Sequence, residues 1–559
     1  AASAGAVFAC SALKQSYRDL LQQDLPVVHW VYLKGSYDFI LHRMQQRKDH
    51  FMPASLLRSQ FETLEEPAAV LTIDIGQSPQ AIIDQIVQHM QPHSTFGIIG
   101  LGVMGKSLAR NAAAKGIRLS VYNRHVPGKE EKVAEQLVAA HPEMKDAKSF
   151  DDLNAFVLSL ETPRKILLMV NAGSATDAVL DELKPLLSND DMVIDGGNAH
   201  FKHTERRMRQ MKEAGLHWIG CGISGGEEGA LRGPALMAGG DAQAFQHIKP
   251  LLEKLAAKDF RGNACCTLAG PGGAGHFVKM VHNGIEYAEM QLLAEVYHIM
   301  RHGLRMAPDA IASHLEEWNK NELHSYLLGI TVDILRKKEG DGFLIDQVAD
   351  QAASKGTGSW ATQTAAELGA PSTLLTQALF ARYLSARFSE RKQASQSLSL
   401  ANQPSIDLPI ATLQQAYALA RLINHQQGFD LITAAAAQYN WSVDIQALAA
   451  SWTNGCIIRS KLMETIASLG GEAASLLLHP GMQELIQRGR VALIETTYAA
   501  AKAGLAVPAL SDALQYLHGM ATVDSPMNLI QAQRDYFGAH TYQRKDDPSG
   551  QPVHTNWLQ

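Results

Sequence analysis

Hydrophobic and polar positions alternate with different periods in different parts of this 559-residue chain. Before residue 273, short apolar runs are separated by stretches of helical period, with the runs at about residues 6–10, 27–33, 69–75, 96–99, 118–122, 165–170, 192–195 and 217–221. Strands that alternate with helices predict a parallel, doubly wound α/β sheet. From about residue 273 to 522 the strand signals disappear, and long Ala- and Leu-rich helical patterns dominate.

These changes of pattern divide the chain into four predicted segments. Residues 1–91 are a partial α/β unit, followed by a polar stretch that is typical of a linker. Residues 95–272 are a second α/β unit, and residues 273–522 are an all-α domain. Residues 523–559 are a tail with little helical pattern, which we expect to fold only against another surface.

A polar stripe on an apolar helix is the most informative local feature. Lys279, His282, Asn283 and Glu286 stand at offsets of 0, 3, 4 and 7, which places them within about 100° of arc on one helix face. Apolar residues occupy the other faces and indicate a helix that is buried nearly all round. Because unpaired polar groups are costly inside a protein, the stripe predicts the lining of a site, and a solvated polar face is the alternative.

A glycine-rich loop follows the strand at residues 96–99. Gly100, Gly102 and Gly105 match the dinucleotide motif GxGxxG, and the same stretch through Ser107 also matches the phosphate-binding pattern GxxxxGK[ST]. About 20 residues further on, where a dinucleotide fold reads the ribose, stand Asn123 and Arg124. A donor and a cation at this position favour the 2′-phosphate of NADP. The competing interpretation is a P-loop, which would need an acidic residue after another apolar strand. Asp195 would have to be that residue.

Composition narrows the class of protein. A net charge of −6 shows no basic footprint for nucleic acid, and no apolar run approaches the length of a membrane span. The five cysteines form no CxxC pair, so we expect reduced thiols, a cytoplasmic protein and no structural metal.

From about residue 96 to the C-terminus, the chain resembles the 6-phosphogluconate dehydrogenase family. The similar stretches occur in order along the chain, at residues 100–105, 123–124, 194–198, 222–229, 275–287, 355–360, 380–382 and 531–542. The stretch at residues 224–226 alone would indicate only the wider β-hydroxyacid dehydrogenase group. The resemblance implies a Rossmann domain, then an all-α domain, in a homodimer that oxidatively decarboxylates 6-phosphogluconate with NADP.

The resemblance also implies a role for individual residues. Lys279 would be the general base and Glu286 the general acid. The cofactor would be held by Gly100, Gly102, Val103, Met104, Gly105, Asn123, Arg124, His125, Val170, Asn171, Ala172 and Asn198. The sugar acid would be held by Asn198, Ser224, Gly225, Gly226, His282 and Asn283. The substrate phosphate would be held by Tyr287, Lys355, Thr357 and Arg382, together with Arg534 and His540 of the partner subunit.

The chain departs from the family pattern at a few positions. Asn171 stands where the family usually has Lys, Ala199 replaces Ser, and His125 replaces a small hydroxyl residue. Leu231-Arg232-Gly233-Pro234 stands where the family commonly has Arg-Tyr-Gly-Pro. The changes at Asn171 and His125 concern cofactor affinity and the preference for NADP, and none involves Lys279 or Glu286.

Residues 1–91 resemble a different family, the C-terminal half of a bacterial gluconate kinase. The similar stretches are residues 10–14, 17–19, 32–35, 43–51 and 60–67. The P-loop of such a kinase should precede Cys10, so we expect a truncated segment without phosphoryl-transfer activity. A gluconate kinase makes 6-phosphogluconate, so a fusion of consecutive enzymes for gluconate utilisation is coherent.

Two other functions remain open from sequence. One is a different β-hydroxyacid dehydrogenase, which would share the glycine loop, Ser224 and Lys279 but would not need Arg382, Arg534 or His540. The other is a bifunctional gluconate kinase and dehydrogenase whose kinase half is truncated here, or a non-catalytic scaffold.

Overall fold

The computed structural model describes all residues except 1–5, 24, 26–27, 48–52, 68–69, 91–92, 354–355, 399–404, 470–474 and 559. The chain divides into two compact units, residues 1–94 and residues 95–559. No helix within the described ranges is long and apolar enough to cross a membrane.

The first unit is a small α/β arrangement. Its elements are α1 (Gln15–Gln22), β1 (Val31–Lys34), α2 (Tyr37–Gln46), α3 (Leu57–Thr63), β2 (Leu71–Asp74) and α4 (Pro79–Met90). β1 and β2 pair in parallel. The predicted strand at residues 6–10 is wrong, because these residues have no regular structure. The loop that follows them is held by the buried Arg18, which donates hydrogen bonds to the carbonyls of Ala12 (2.8 Å) and Glu65 (2.9 Å).

The second unit begins with an eight-stranded sheet in the order β10-β9-β8-β7-β6-β3-β4-β5. The strands are β3 (Phe96–Ile99), β4 (Leu119–Tyr122), β5 (Lys148–Phe150), β6 (Lys165–Leu168), β7 (Met192–Asp195), β8 (His217–Ser224), β9 (Ala235–Gly240) and β10 (Cys266–Gly270). The helices between them are α5 (Val103–Ala114), α6 (Val133–Ala140), α7 (Leu153–Leu158), α8 (Ser174–Leu183), α9 (Phe201–Glu213), α10 (Gly226–Arg232) and α11 (Ala242–Leu255). Helices cover both faces, so the central strands are buried throughout.

Two strands, β9 and β10, run opposite to the other six and correct the prediction of a fully parallel sheet. β9 runs antiparallel to β8, while β10 pairs in parallel with β9. The sequence pattern did not predict β5, β9 or β10. β5 is only three residues long, and β9 contains two glycines that weaken the strand signal.

The remainder of the second unit is mainly helical. Its helices are α12 (Ala274–His298), α13 (Pro308–Trp318), α14 (Tyr326–Arg336), α15 (Thr357–Leu368), α16 (Thr373–Ser385), α17 (Phe388–Ser397), α18 (Ile410–Tyr439), α19 (Ile445–Ser451), α20 (Lys461–Ser468), α21 (Gln483–Lys502) and α22 (Pro508–Met520). The short strands β11 (Lys338–Glu339) and β12 (Gly342–Phe343) form one hairpin. This hairpin is the exception to the predicted absence of strands.

Helix α12 packs against the sheet at very short range. A Cβ atom added to Gly275 would lie 2.4 Å from the carbonyl oxygen of Gly220 and 2.5 Å from the amide nitrogen of Gly239. On its other side, α12 meets α18, where a Cβ on Gly428 would lie 2.4 Å from Ile285 Cδ1. Only glycine permits these approaches, so α12 is buried between the sheet and the helical domain.

A buried ion pair joins α12 to α18. Arg421 Nε lies 2.7 Å from Glu289 Oε1, and both side chains are almost fully buried. The hydroxyl of Tyr417 donates to the same carboxylate at 2.6 Å. Charged groups are buried at low cost only when they are paired, so this contact fixes how the two helices meet.

The tail contains more structure than its sequence pattern predicts. α23 (Met527–Gly538) is followed by a hairpin of β13 (Tyr542–Gln543) and β14 (Pro552–Val553). The carboxylate of Asp535 is buried and accepts hydrogen bonds from the backbone amides of Thr541 and Thr555 and from the indole of Trp557. With His554 Nδ1, which lies 2.9 Å from Oδ1, four groups contact this one carboxylate and organise the tail.

Candidate active site

The glycine loop leaves open space at the N-terminus of α5. Gly100 has a φ of +93°, and a Cβ on Gly105 would lie 1.9 Å from the carbonyl oxygen of Gly100. A Cβ on Gly102 would meet nothing within 4 Å. Two glycines therefore close the loop against the helix, and the third leaves the first helical amides accessible to a phosphate group.

The structure favours the dinucleotide interpretation of this loop. The hydroxyl of Ser107 is buried and donates to the carbonyl of Val103 at 3.0 Å. A P-loop hydroxyl would have to face the phosphates and their metal ion instead. Asp195 is fully buried, and its Oδ2 lies 3.6 Å from Arg207 Nη1, so it contacts a protein cation. The described residues include no cluster of three or more His, Cys, Asp or Glu side chains that could hold a metal ion.

The residues expected at the ribose contact one another. Asn123 Oδ1 accepts from the backbone amide of Leu101 at 3.0 Å, which joins the end of β4 to the glycine loop. Its Nδ2 donates to Glu130 at 3.0 Å, and Arg124 lies 3.3 Å from the same carboxylate. Glu130 was not among the residues predicted from the sequence. Pro127 and Gly128 are residues typical of a turn, and this turn returns the chain toward the end of β4, which brings Glu130 there. His125 is exposed beside this turn.

The residues expected at the nicotinamide end follow two neighbouring strands. Val170, Asn171 and Ala172 follow β6, and Asn198 follows β7. β6 pairs in parallel with both β3 and β7, so their carboxyl ends meet at the edge that carries the glycine loop. Asn171, Ala172 and Asn198 are exposed there, and the backbone carbonyl of Asn171 accepts from Thr176 at 3.1 Å.

The polar stripe of α12 lies deep inside the second unit. Lys279 is 7% exposed and His282 is fully buried. His282 Nε2 lies 3.1 Å from the hydroxyl of Ser224, and its Nδ1 lies 3.8 Å from Glu286. Glycine at position 222 allows β8 to lie against Lys279, because a Cβ there would lie 2.4 Å from Lys279 Cβ.

Burial shifts the protonation of these groups. Desolvation lowers the pKa of Lys279, and the nearby Glu286 opposes this shift. Desolvation raises the pKa of Glu286, while Lys279 and Arg382 act in the opposite direction. The pKa of His282 is lowered well below its ordinary value, mainly by burial. Burial therefore favours the neutral forms of the Lys279 amine, the His282 imidazole and the Glu286 carboxyl group.

A small cleft joins the sheet edge to α12. Its lining includes Asn198, Lys279, Asn283 and Thr357, all of which the sequence analysis selected. It also includes His276 and Trp360, which the sequence analysis missed. The signal for His276 is its position one turn before Lys279 on the same helix.

Loop backbone completes the predicted sugar-acid site. Gly225 has a φ of +116° and precedes α10, while a Cβ on Gly226 would meet only one atom, at 3.9 Å. The space beside Gly226 is therefore open.

Three of the four own-subunit residues expected at the phosphate converge from separate helices. The guanidinium of Arg382 lies 3.6 Å from the centroid of the Tyr287 ring and donates to the carbonyl of Ala353 at 2.9 Å. Thr357 begins α15, and the next residue, Gly358, lies against the Tyr287 ring. Lys355 lies outside the described residues.

The two predicted tail residues contact other parts of the tail. Arg534 donates to Gln531 at 3.1 Å, and the ring of His540 packs edge-on against Phe537 with centroids 5.9 Å apart. Because both contacts lie within the tail, the role of Arg534 and His540 in a substrate site stays a prediction.

Two family models match the second unit. One, described as the NAD binding domain of 6-phosphogluconate dehydrogenase, matches residues 95–270. The other, described as the 6-phosphogluconate dehydrogenase C-terminal domain, matches residues 275–557.

Several known proteins are similar to the chain. The decarboxylating 6-phosphogluconate dehydrogenase of Escherichia coli K12 is 43% identical over 470 residues, covering 83% of this chain and 99% of that protein. The NADP(+)-dependent, decarboxylating enzyme of Bacillus subtilis is 43% identical over 472 residues, with the same shares covered. The solved 6-phosphogluconate dehydrogenase of Plasmodium falciparum, studied with NADP+ and with 6-phosphogluconate, matches with a TM-score of 0.78 and 33% identity, covering 83% of this chain and 100% of that one.

The open space at Gly102 generates a test of the glycine loop. Gly102→Ala should retain the wild-type melting temperature but raise the Kd for NADP at least roughly tenfold, the effect of losing about 1.4 kcal/mol of binding free energy. Gly105→Ala should also lower stability by about 1–3 kcal/mol, because its Cβ overlaps Gly100. Scanning and titration calorimetry measure both effects. Wild-type affinity in Gly102→Ala would mean that phosphate binds elsewhere.

Proposed function

The chain belongs to the 6-phosphogluconate dehydrogenase family, and we propose that it oxidatively decarboxylates 6-phosphogluconate to ribulose 5-phosphate and CO2 with NADP. The observation that carries this proposal is the position of the buried Lys279 and the partly exposed Glu286 on one face of α12, beside the sheet edge that bears the glycine loop. This reaction belongs to the pentose phosphate pathway.

The residues at the sheet edge fit NADP. Gly102 leaves the N-terminus of α5 open for the pyrophosphate, and Val103 and Met104 form the first turn beside it. Asn123 and Arg124 directly follow β4, where they would meet the ribose of NADP and its 2′-phosphate. His125, Val170, Asn171, Ala172 and Asn198 complete the proposed set. When bound, NADP supplies the nicotinamide ring that takes up a hydride from C3 of the substrate.

Lys279 is the proposed general base. Burial favours its neutral form, so its amine can accept the proton of the C3 hydroxyl as that carbon becomes a ketone. The ketone lies β to the carboxylate. Lys279, now an ammonium, returns this proton to the ketone oxygen as the C1–C2 bond breaks. CO2 leaves, and the electron pair of that bond forms the C2=C3 double bond of an enediol.

Glu286 is the proposed general acid. The former C2 of the substrate becomes C1 of the enediol, and it needs a proton to give ribulose 5-phosphate. Burial raises the pKa of Glu286, which favours the protonated form that this role requires. Its position two turns beyond Lys279 on the same face puts the two groups on one bound sugar.

The other polar groups would orient the substrate. Ser224 holds the imidazole of His282, and Asn198 and Asn283 line the cleft beside Lys279. Gly225 and Gly226, which follow Ser224, would bind the sugar acid through their backbone. Tyr287, Thr357 and Arg382 would bind the phosphate, with Lys355 as a further proposed ligand. The Arg382 guanidinium beside the Tyr287 ring suits the substrate, because its anionic phosphate is attached to a carbon chain.

We propose that the enzyme is a homodimer with shared active sites, to which Arg534 and His540 of the partner subunit contribute. Exposed apolar side chains on the tail helix support this arrangement, since Leu529, Ile530 and Phe537 are about half exposed or more. Such a face is typical of a surface that another chain covers.

We propose that residues 1–91 derive from a gluconate kinase and that the chain served gluconate utilisation as a fusion. The parallel strands β1 and β2 and their flanking helices support an α/β origin. Both family models begin after this segment. His50 and Phe51, which belong to the resemblance, lie outside the described residues.

The free thiols of Cys10, Cys221, Cys265, Cys266 and Cys456 support a reducing compartment such as the cytoplasm.

An assay with matched substrates tests the activity. 6-Phosphogluconate and NADP should give NADPH and CO2 in equal amounts, while gluconate and 3-hydroxyisobutyrate should give neither, because they lack the phosphate that Arg382 binds. Turnover of 3-hydroxyisobutyrate without decarboxylation of 6-phosphogluconate would indicate another β-hydroxyacid dehydrogenase. Gluconate with Mg-ATP should also give no NADPH, and a signal there would show that residues 1–91 retain kinase activity.

Substitutions on α12 test the two proton-transfer roles. Lys279→Met should abolish turnover and leave NADP binding unchanged, while Glu286→Gln should reduce kcat on the order of 10²-fold or more. Because the ionised form of Glu286 raises the pKa of Lys279, Glu286→Gln should lower that pKa. The acid limb of its residual activity, where Lys279 becomes protonated as the pH decreases, should therefore lie at a lower pH than in the wild type. Near-normal rates in either variant would remove that residue from its role.

Subunit mixing tests the shared site. Lys279→Met chains and Arg534→Ala chains should each be inactive, and a heterodimer should recover one site that contains both residues. Arg544→Ala, which removes a tail cation paired with Asp546, is the control and should remain active alone. No recovery despite demonstrated subunit exchange would place Arg534 in the site of its own subunit.

A further inference from the structure

The guanidinium expected to bind the 2′-phosphate of NADP already contacts a carboxylate of its own chain. Arg124 Nη2 lies 3.3 Å from Glu130 Oε1, and Nε lies 3.5 Å from Oε2. Asn123 donates to the same carboxylate at 3.0 Å. Hydrogen bonds from Arg124 and then Asn123 lower the pKa of Glu130, so this group is an anion at neutral pH.

A tight turn holds Glu130 in this place. Val126 and Glu130 exchange two backbone hydrogen bonds, of 2.9 Å and 2.8 Å, across the turn. Gly128 takes a φ of +72° within it, and its amide donates to Glu131 at 2.7 Å. Because Asn123 also accepts from the amide of Leu101, Glu130 is connected through one amide side chain to the glycine loop.

Three further carboxylates act on the neighbouring Tyr122. Burial raises the pKa of Tyr122 most, Glu182, Asp152 and Asp151 add to this shift, and Arg124 opposes it. A 2′-phosphate, with up to two negative charges, would therefore enter a region where one cation is already paired.

We propose that Glu130 determines the nucleotide specificity of this enzyme, by weakening its selection of NADP and by accepting hydrogen bonds from the ribose hydroxyls of NAD. The inference rests on the proposed function and deepens it: NAD is a second substrate of the same site. A carboxylate near the end of the second strand is the group that reads a free ribose in dinucleotide folds. Here the carboxylate comes from the following turn.

The exposure of the pair explains why NADP still binds. The side chains of Arg124 and Glu130 are 71% and 38% exposed, and ion pairs at the surface are weak. The guanidinium can therefore leave Glu130 for the 2′-phosphate, but the phosphate must then lie near an uncompensated carboxylate. That repulsion reduces the advantage of NADP over NAD.

Direct binding measures this effect independently of turnover. Titration calorimetry would give Kd values for NADP and NAD, and for the fragments adenosine 2′,5′-bisphosphate and AMP, which reach only this end of the site. Glu130→Gln keeps the size of the side chain and removes its charge. It should tighten NADP and the bisphosphate on the order of 5- to 10-fold, and it should weaken NAD. Arg124→Ala should weaken NADP far more than NAD.

Glu135→Gln is the matched control. Glu135 is 63% exposed and pairs with Lys132, so the variant removes the same charge close by and should leave the ratio of the two Kd values unchanged. An unchanged ratio in Glu130→Gln, or an equal change in Glu135→Gln, would overturn the proposal. Failure of 6-phosphogluconate turnover with intact nucleotide binding would instead contradict the proposed function alone.

Discussion

Helix α12 can reach the sheet only because glycine stands where the two backbones meet. Gly275 lies against Gly220 and Gly239, and Gly222 leaves room for the stem of Lys279; a Cβ at either contact would lie within about 2.5 Å of its neighbour. The polar stripe of α12 consequently lies next to the carboxyl ends of the parallel strands, where the nucleotide loop is. The position of the site, and the burial of its residues, both follow from this approach.

The same burial supplies the chemical character of the site. Desolvation shifts the pKa of Lys279 downward and the pKa of Glu286 upward, so an amine and a carboxyl group approach their neutral forms within two turns of one helix. The nucleotide end differs, since Arg124 and Glu130 pair at the surface and keep their charges. The proposed proton-transfer groups are therefore largely desolvated, whereas the groups proposed to bind the ribose and its phosphate are exposed to solvent.

A second layer of paired charge lies behind the proposed catalytic face. Glu289 follows Glu286 by one turn, and its Oε1 contacts both Arg421 and Tyr417 of α18. Its neighbour Gln291 joins Glu295, which caps the amides of Ala509 and Leu510 at the start of α22. These contacts fix the rotation of α12 about its axis, and with it the direction in which Lys279 and Glu286 point.

The sequence alone determined the features that depend on neighbours along the chain. The strands near residues 96–99, 118–122, 165–170, 192–195 and 217–221, the glycine loop and the single polar face of α12 were all predicted, because their periods follow from local geometry. The tertiary structure decided what distant segments do together. Antiparallel β9, helix α23, the convergence of Tyr287, Thr357 and Arg382, and the pairing of Glu130 with Arg124 depend on packing and turn geometry, and no local period carries that information.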